Sequence, residues 1–249
     1  MSDTHETLER VRASLMGEPR LDWHRYPLTM HLEGGVLTLE GEVRNIPSKR
    51  HALKRAQAVP GVREVVDRVR VAPAERMGDG AVLDHVRDAL LQEPALGECT
   101  ISVLSKGRVE PVHAPSEPAG NLRIAVDDAV VSLEGEVPSL SHRRLAEVLT
   151  WWVPGSRDVV NRLAVSPPEE DNDDEVTEAV RLALEKDPFV NASQIRVHTR
   201  NCVITLEGLV PTEGECDMAE CDAWYVSGVE EVVNRIEARP GAGESAAQR

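Results

Sequence analysis

Internal repetition constrains this chain more than any other feature, because a segment that recurs with fixed spacing folds as a recurring unit. Leu39-Glu40-Gly41-Glu42-Val43 returns as Leu133-Glu134-Gly135-Glu136-Val137 and as Leu206-Glu207-Gly208-Leu209-Val210. A second glycine stands twenty residues after each first one: Gly61, Gly155 and Gly228 after Gly41, Gly135 and Gly208. The next apolar run keeps register, as Val65-Val66-Asp67-Arg68-Val69, Val159-Val160-Asn161-Arg162-Leu163 and Val232-Val233-Asn234-Arg235-Ile236. Upstream of these, a Val-Arg-x-x-Leu-x-x-x-Pro pattern occupies residues 11–19, 86–94 and 180–188. Four landmarks in constant order make three copies of one unit.

Periodicity gives each landmark a conformation. Leu8, Val11 and Leu15, then Val82, Val86 and Leu90, then Val176, Val180 and Leu184 recur at helical steps and put one apolar stripe on a first helix per copy. Pro19, Pro94 and Pro188 stop these helices. Alternating runs follow: Leu28, Met30 and Leu32 against Leu37 and Leu39 across Gly34-Gly35. The second copy sets Leu122, Ile124 and Val126 against Val131 and Leu133 across Asp127-Asp128, and the third sets Ile195 and Val197 against Ile204 and Leu206 across Arg200-Asn201. Alternation bounded by turn residues predicts a β-hairpin. A second helix carries a stripe of small residues, Ala52, Ala56 and Val59, then Ala146, Thr150 and Val153, then Ala219, Ala223 and Val226. In the third copy Thr212 and Glu215 have the spacing of a capping box at its start. The glycine turn then leads into a third strand. The expected fold is α+β: three tandem α-β-β-α-β units, each a small three-stranded sheet with two helices on one face.

The copies are expected at residues 1–73, 80–167 and 172–239, joined by linkers rich in Pro, Gly and acidic residues and ending in a flexible tail at 240–249. The middle copy carries an insertion at 95–121. In it 28 positions separate Pro94 from Leu122, against seven from Pro188 to Ile195. Residues 100–104, a Lys106-Gly107 turn and residues 108–112 read as an extra hairpin inside it.

These residues in this order resemble the BON domain family. The resemblance rests on the helix with its apolar stripe, the strand Val131-x-Leu133-x-Gly135-x-Val137, the Ala-containing helix, and the closing Gly228-Val229-x-x-Val232-x-Asn234-x-Ile236. It covers nearly the whole chain as three copies. It implies a bacterial, non-enzymatic binding module, phospholipid-binding or adhesive, of a kind found in osmotically induced and envelope-associated proteins.

Charge sorts the possible partners. Asp and Glu number 43 against 28 Lys and Arg, a formal net charge of −15, which argues against nucleic acid and against general anionic-membrane binding. The acidity is uneven: residues 1–75, 76–168 and 169–249 carry +1, −4 and −12. The basic cluster is Lys49, Arg50, His51, Lys54 and Arg55 on the second helix of the first copy. It reads either as a solvated helix face or as a site for an anionic lipid headgroup or acidic partner.

No motif brings in a reaction or a cofactor. Cys99, Cys202, Cys216 and Cys221 fit no zinc spacing, and Cys216 and Cys221 lie on different sides of one helix. Cys202, at the position matched by Gly35 and Ala129, is expected to be a small buried residue. The acidic run at 171–175 lacks both the glycine and the glutamate of a calcium loop, having Val176 and Leu182 there. The eight histidines form no metal-binding pair, and His31 and His198 are expected to point away from the helices. Phosphate loops and nucleophile elbows are absent. The expectation is a protein with no cofactor and no metal that is not an enzyme.

Trp151-Trp152 and Trp224-Tyr225 hold the concentrated aromatics at matching places in copies two and three, and read as core cover or as a contact surface. With both helices on one sheet face, the other exposes Val36 with Thr38, Val130 with Ser132 and Val203 with Thr205. Such a single-layered, semi-apolar face invites burial, so copies are expected to dock through it or to recruit a protein partner there. Met1 leads into a polar run with neither a basic start nor an apolar stretch, and no apolar run approaches a membrane span. The expected location is cytoplasmic, a periplasmic one requiring a leader upstream of this chain.

Overall fold

A computed structural model describes residues 2–239, so the tail at 240–249 lies outside the described residues. The chain divides into two compact units, one ending at Ala74 and the other beginning at Glu75. The first unit is α1 (Ser2–Met16), β1 (Thr29–Glu33), β2 (Val36–Val43), α2 (Ile46–Gln57) and β3 (Glu64–Val71). Its sheet runs β1-β2-β3, antiparallel between the first pair and parallel between the second. Val11 and Leu15 of α1 and Ala52 and Ala56 of α2 bury one sheet face against Leu37, Leu39 and Val69.

The second unit holds the other two copies. The second copy is α3 (Asp79–Gln92), β4 (Cys99–Ser105), β5 (Arg108–His113), β6 (Gly120–Asp127), β7 (Val130–Val137), α4 (Leu140–Trp151) and β8 (Asp158–Val165). The third is α5 (Asp173–Lys186), β9 (Ile195–Arg200), β10 (Val203–Val210), α6 (Glu213–Tyr225) and β11 (Glu231–Ala238). The insertion forms the hairpin its sequence predicts. Because β4 then pairs parallel to β6, the second copy has five strands, in the order β5-β4-β6-β7-β8, where three were expected. Pro111 in the outer strand β5 has no N–H to offer a further strand, which blunts that edge.

The landmarks acquire physical reasons. A Cβ on Gly135 would overlap the carbonyl oxygen of Asn121 in β6, and one on Gly208 that of Gln194 just before β9, so both glycines mark a close backbone approach. The Asp or Asn of the third strand clamps the strand to the second helix. Asp67, Asn161 and Asn234 each accept the amide two residues on, from Val69, Leu163 and Ile236. Their other ends reach the helix: Asn161 donates to the Arg143 carbonyl and Glu147, and Asn234 to the Cys216 carbonyl and Glu220. In the first copy Asp67 instead takes the Lys49 ammonium at 2.9 Å. The capping box is half made: Thr212 accepts the Glu215 amide, but the Glu215 carboxylate accepts the Asn191 amide at 2.8 Å.

The hairpin turns fall one residue later than expected in two copies. The positive-φ pairs are Gly34-Gly35, Asp128-Ala129 and Asn201-Cys202, so the turn follows the register of the inward-facing strand residues and not turn propensity. Cys202 thus sits in a turn at φ 59° and is half-buried, not a core residue. Where the turn lacks glycine, an aspartate at the first helix holds it. Asp79 accepts from the Asp128 and Ala129 amides, and Asp173 accepts from Asn201 and Cys202 at 2.7 and 2.9 Å. Replacing Asp173 by Ala leaves two turn amides without that acceptor and is expected to cost about 1–3 kcal/mol. A urea titration of the D173A variant measures it, and an unchanged midpoint contradicts the clamp.

Candidate functional site

The basic helix of the first copy does not present one cationic patch. Lys49 is buried against Asp67, and Arg55 donates to the buried Glu18 carboxylate at 3.0 Å. Arg50 and His51 are half-buried, and only Lys54 and Arg55 lie on the exposed surface. The periodicity that put five basic residues on one helix could not separate inward from outward ones, because burying Lys49 depends on a carboxylate from another strand.

On the outer sheet faces Val36, Val130 and Val203 are half-buried, as are Thr38, Ser132 and Thr205 beside them. One step along each sheet lies a charged row. Glu40 pairs with Arg68, Glu134 with both Arg123 and Arg162, and Glu207 with Arg235. The semi-apolar strip is therefore bordered by ion pairs in every copy. His31 and His198 are exposed as expected, His31 beside Glu33.

Copies two and three dock within the second unit, but through their helices and not through these sheet faces. The contact is built by α4 against α5 and α6. Trp151, buried, stacks on Tyr225 with ring centroids 5.3 Å apart and planes 15° from parallel. Trp152 donates its indole N–H to Asp222 at 2.8 Å. Trp224 is also buried. The aromatic pairs are thus the packing surface between copies, which a helix layer supplies because its apolar rings give more area than the Val/Thr strip.

Polar clasps frame the aromatics. The Arg144 side chain is 3% exposed; its Nε donates to the Ser227 carbonyl and its Nη2 to both Asp171 oxygens at 2.6 Å. A Cβ on Gly228 would stand 3.0 Å from that Nη2, so the repeat glycine leaves room for the arginine. Lys186 at the end of α5 reaches the buried Glu93 after α3 at 2.8 Å. Between α4 and α5 a groove of about 250 Å³ is lined by Leu145, Val148, Ala179 and Leu182, with Arg144 and Glu178 among its polar groups.

Asp222 is the most perturbed acid in the joint. Burial pushes its carboxyl up to about 8, Asp187 adds to the rise, and the Trp152 hydrogen bond opposes it. Burial likewise pushes the Tyr225 hydroxyl well above its ordinary value. Sequence reasoning missed Arg144, Asp171, Asp187 and Asp222. The available signal was their departure from the repeat: Arg50 and Asp217 match Arg144, and Arg55 and Leu149 match Asp222.

All four cysteines are free thiols, and burial raises Cys99 and Cys216. Among the described residues no group of three or more His, Cys, Asp or Glu is placed to hold a metal ion, and no helix is long and apolar enough to cross a membrane.

A chain of three α-β-β-α-β copies, two of them locked helix to helix, defines a tandem-module protein whose distinctive features are surfaces between and around modules. The BON domain model matches residues 5–73, 112–167 and 172–240, so the chain belongs to the BON domain family. The middle match begins at 112, leaving α3 and β4 outside it. The chain is similar to the osmotically-inducible protein Y of Escherichia coli (strain K12), 27% identical over 125 residues, 48% of this chain and 62% of that protein. The match therefore spans less than two thirds of the relative's length. Among solved structures, the C-terminal domain of CdsD, a structural protein of the type III secretion system of Chlamydia trachomatis, is 15% identical over 94% of this chain and 97% of that one, with a TM-score of 0.25. The PrgH periplasmic domain is 12% identical over 92% and 99%, with a TM-score of 0.22. Scores this low carry no argument about partners.

Proposed function

We propose that this is a non-catalytic binding and scaffolding protein of the bacterial stress response, mediating protein–protein or envelope-associated interaction. The observation that carries the reading is the helix-to-helix joint of copies two and three. It uses the helical layers as internal cement and leaves the sheet faces with Val130 and Val203 available to partners. Membership of the BON domain family and likeness to a protein named for osmotic induction support it. Binding phospholipid through the first copy is the weaker reading, because Lys49 and Arg55 are engaged by Asp67 and Glu18.

A photo-crosslinking residue placed in turn at Val36, Val130, Val203 and Lys54 tests both in the native cell. Protein adducts at the valine positions are the expected result. Lipid adducts confined to Lys54, with salt-sensitive sedimentation on anionic vesicles, would transfer the function to the phospholipid reading. Adducts at none of the four would overturn both.

A further inference from the structure

We propose that Asp222 is held protonated at the joint between the second and third copies, beside the Asp187 carboxyl of its own copy, so that the joint is a clasp that weakens as the surroundings become alkaline. Asp222 projects from α6 into the contact with α4, where it is 2% exposed. Its Oδ1 accepts the Trp152 indole N–H at 2.8 Å, the bond that ties the two copies together there. Its Oδ2 is also buried and has no donor directed at it. The remaining polar neighbour is the carboxyl of Asp187, just past the end of α5. Two carboxyl groups attract each other only when one carries a proton that the other accepts.

The neighbours decide where that proton sits. Asp187 Oδ1 already accepts the Phe189 amide at 2.8 Å, and burial disfavours the charged form of Asp222, so Asp222 carries the proton. What acts on the Asp222 carboxyl is burial, the Trp152 hydrogen bond and Asp187. Lys186, next to Asp187 in sequence, is bonded to Glu93. α4 contributes the neutral Trp152, α5 contributes Asp187, and α6 itself contributes Tyr225 and Cys221. The sheet beneath α6 contributes the buried apolar residues Leu206, Val210 and Val232. An ionised Asp222 would therefore face a second carboxylate in a dry contact with one hydrogen bond to hold it.

The direction follows from linkage. In the docked copies the Asp222 carboxyl is pushed up to about 8, chiefly by burial; parting them admits water and removes that burial, so the value falls toward the ordinary carboxyl range while Asp187, in the same copy, stays beside it. Docking then takes up a proton, so it is strongest in acid and falls as pH rises toward 8, by up to about tenfold per pH unit, and levels off above. The steep range lies where a cytoplasmic or periplasmic pH would vary.

Amide hydrogen exchange on the full chain between pH 5 and 10, corrected for the intrinsic pH dependence of exchange, reads the opening of α4 and α6. The expected result is an opening constant that rises with pH and levels off near pH 8, with α1 and α2 of the first unit not following it. The Asp222→Asn variant, whose amide can still accept from Trp152 and donate to Asp187, is expected to flatten the profile. The Asp187→Asn variant removes the second carboxylate and is expected to move the plateau to lower pH, which decides the matter even if D222N does not fold. A Cys221→Ser variant is expected to behave as the parent. A flat parent profile, a D222N variant that keeps the slope, a D187N variant with an unmoved plateau, or loss of the slope in C221S would each overturn the proposal.

Discussion

Replacing Trp151 by Ala is expected to destabilise the second unit by about 3–5 kcal/mol while leaving the first unit's transition unmoved. The ring is 6% exposed and has two roles at once. It closes the helical side of the second copy, and it stacks on Tyr225 of the third at 5.3 Å. Truncation removes the burial of a large aromatic and opens a cavity at the contact between copies, which neither sheet can move to fill. The indole N–H of Trp151 is buried without an acceptor, so the ring acts through area and stacking and not through a hydrogen bond. Trp151→Phe is therefore expected to cost only about 1–2 kcal/mol, since a smaller ring still stacks on Tyr225. Urea titrations of the two variants check the ordering. Equal losses for W151A and W151F would show that the nitrogen matters and that the stacking argument is wrong.

The repeat made the fold legible because residues that recur are those every copy needs. Gly135 and Gly208 lie against a neighbouring backbone carbonyl, Asn161 and Asn234 clamp the third strand to the second helix, and Val86, Val180 and Leu184 fill equivalent cores. Such constraints are local to one module, so spacing within one chain reveals them. The hairpin turns moved by one residue because propensity favoured Asp127 and Arg200, while strand register placed the left-handed backbone on Ala129 and Cys202. Register is a property of two strands facing one core, which no single turn sequence states.

The joint was far less legible, for the opposite reason. It is made by residues that break the repeat: at the end of the second helix the first copy has Gln57 and Ala58 where the docked copies have Trp151-Trp152 and Trp224-Tyr225. That contrast alone separates the pair that dock through their helices from a copy lacking the rings. The aromatics lie in the contact between copies two and three, and the valine faces do not form that contact. The strip of Val130 and Ser132 is narrow and lies beside Glu134, whose ion pairs with Arg123 and Arg162 would have to be desolvated on docking. The basic helix is divided in a similar way, since Asp67 draws Lys49 inward while Lys54 and Arg55 stay exposed.

Replacing Arg144 by Met is expected to cost about 2–3 kcal/mol and to loosen the third copy from the second without unfolding either. Methionine keeps most of the side chain's volume, so the loss is polar. Three hydrogen bonds vanish, one to the Ser227 carbonyl and two to Asp171, each spanning from α4 to the linker or to the turn after α6. The loss stays below that of a fully buried pair because the Asp171 side chain is 42% exposed and water can take over its oxygens. Ser227 is half-buried, so its carbonyl also loses its partner and adds to the cost. A double-mutant cycle with Asp171→Ala isolates the ion pair, with an expected coupling of about 1–2 kcal/mol. Limited proteolysis gives an independent reading: cleavage in the linker at residues 166–172 is expected to accelerate in R144M, since Asp171 is the linker residue the arginine holds. If R144M neither shifts the urea midpoint nor speeds that cleavage, the Arg144 clasp is an accident of packing, and the aromatics with the Lys186–Glu93 pair join the two copies.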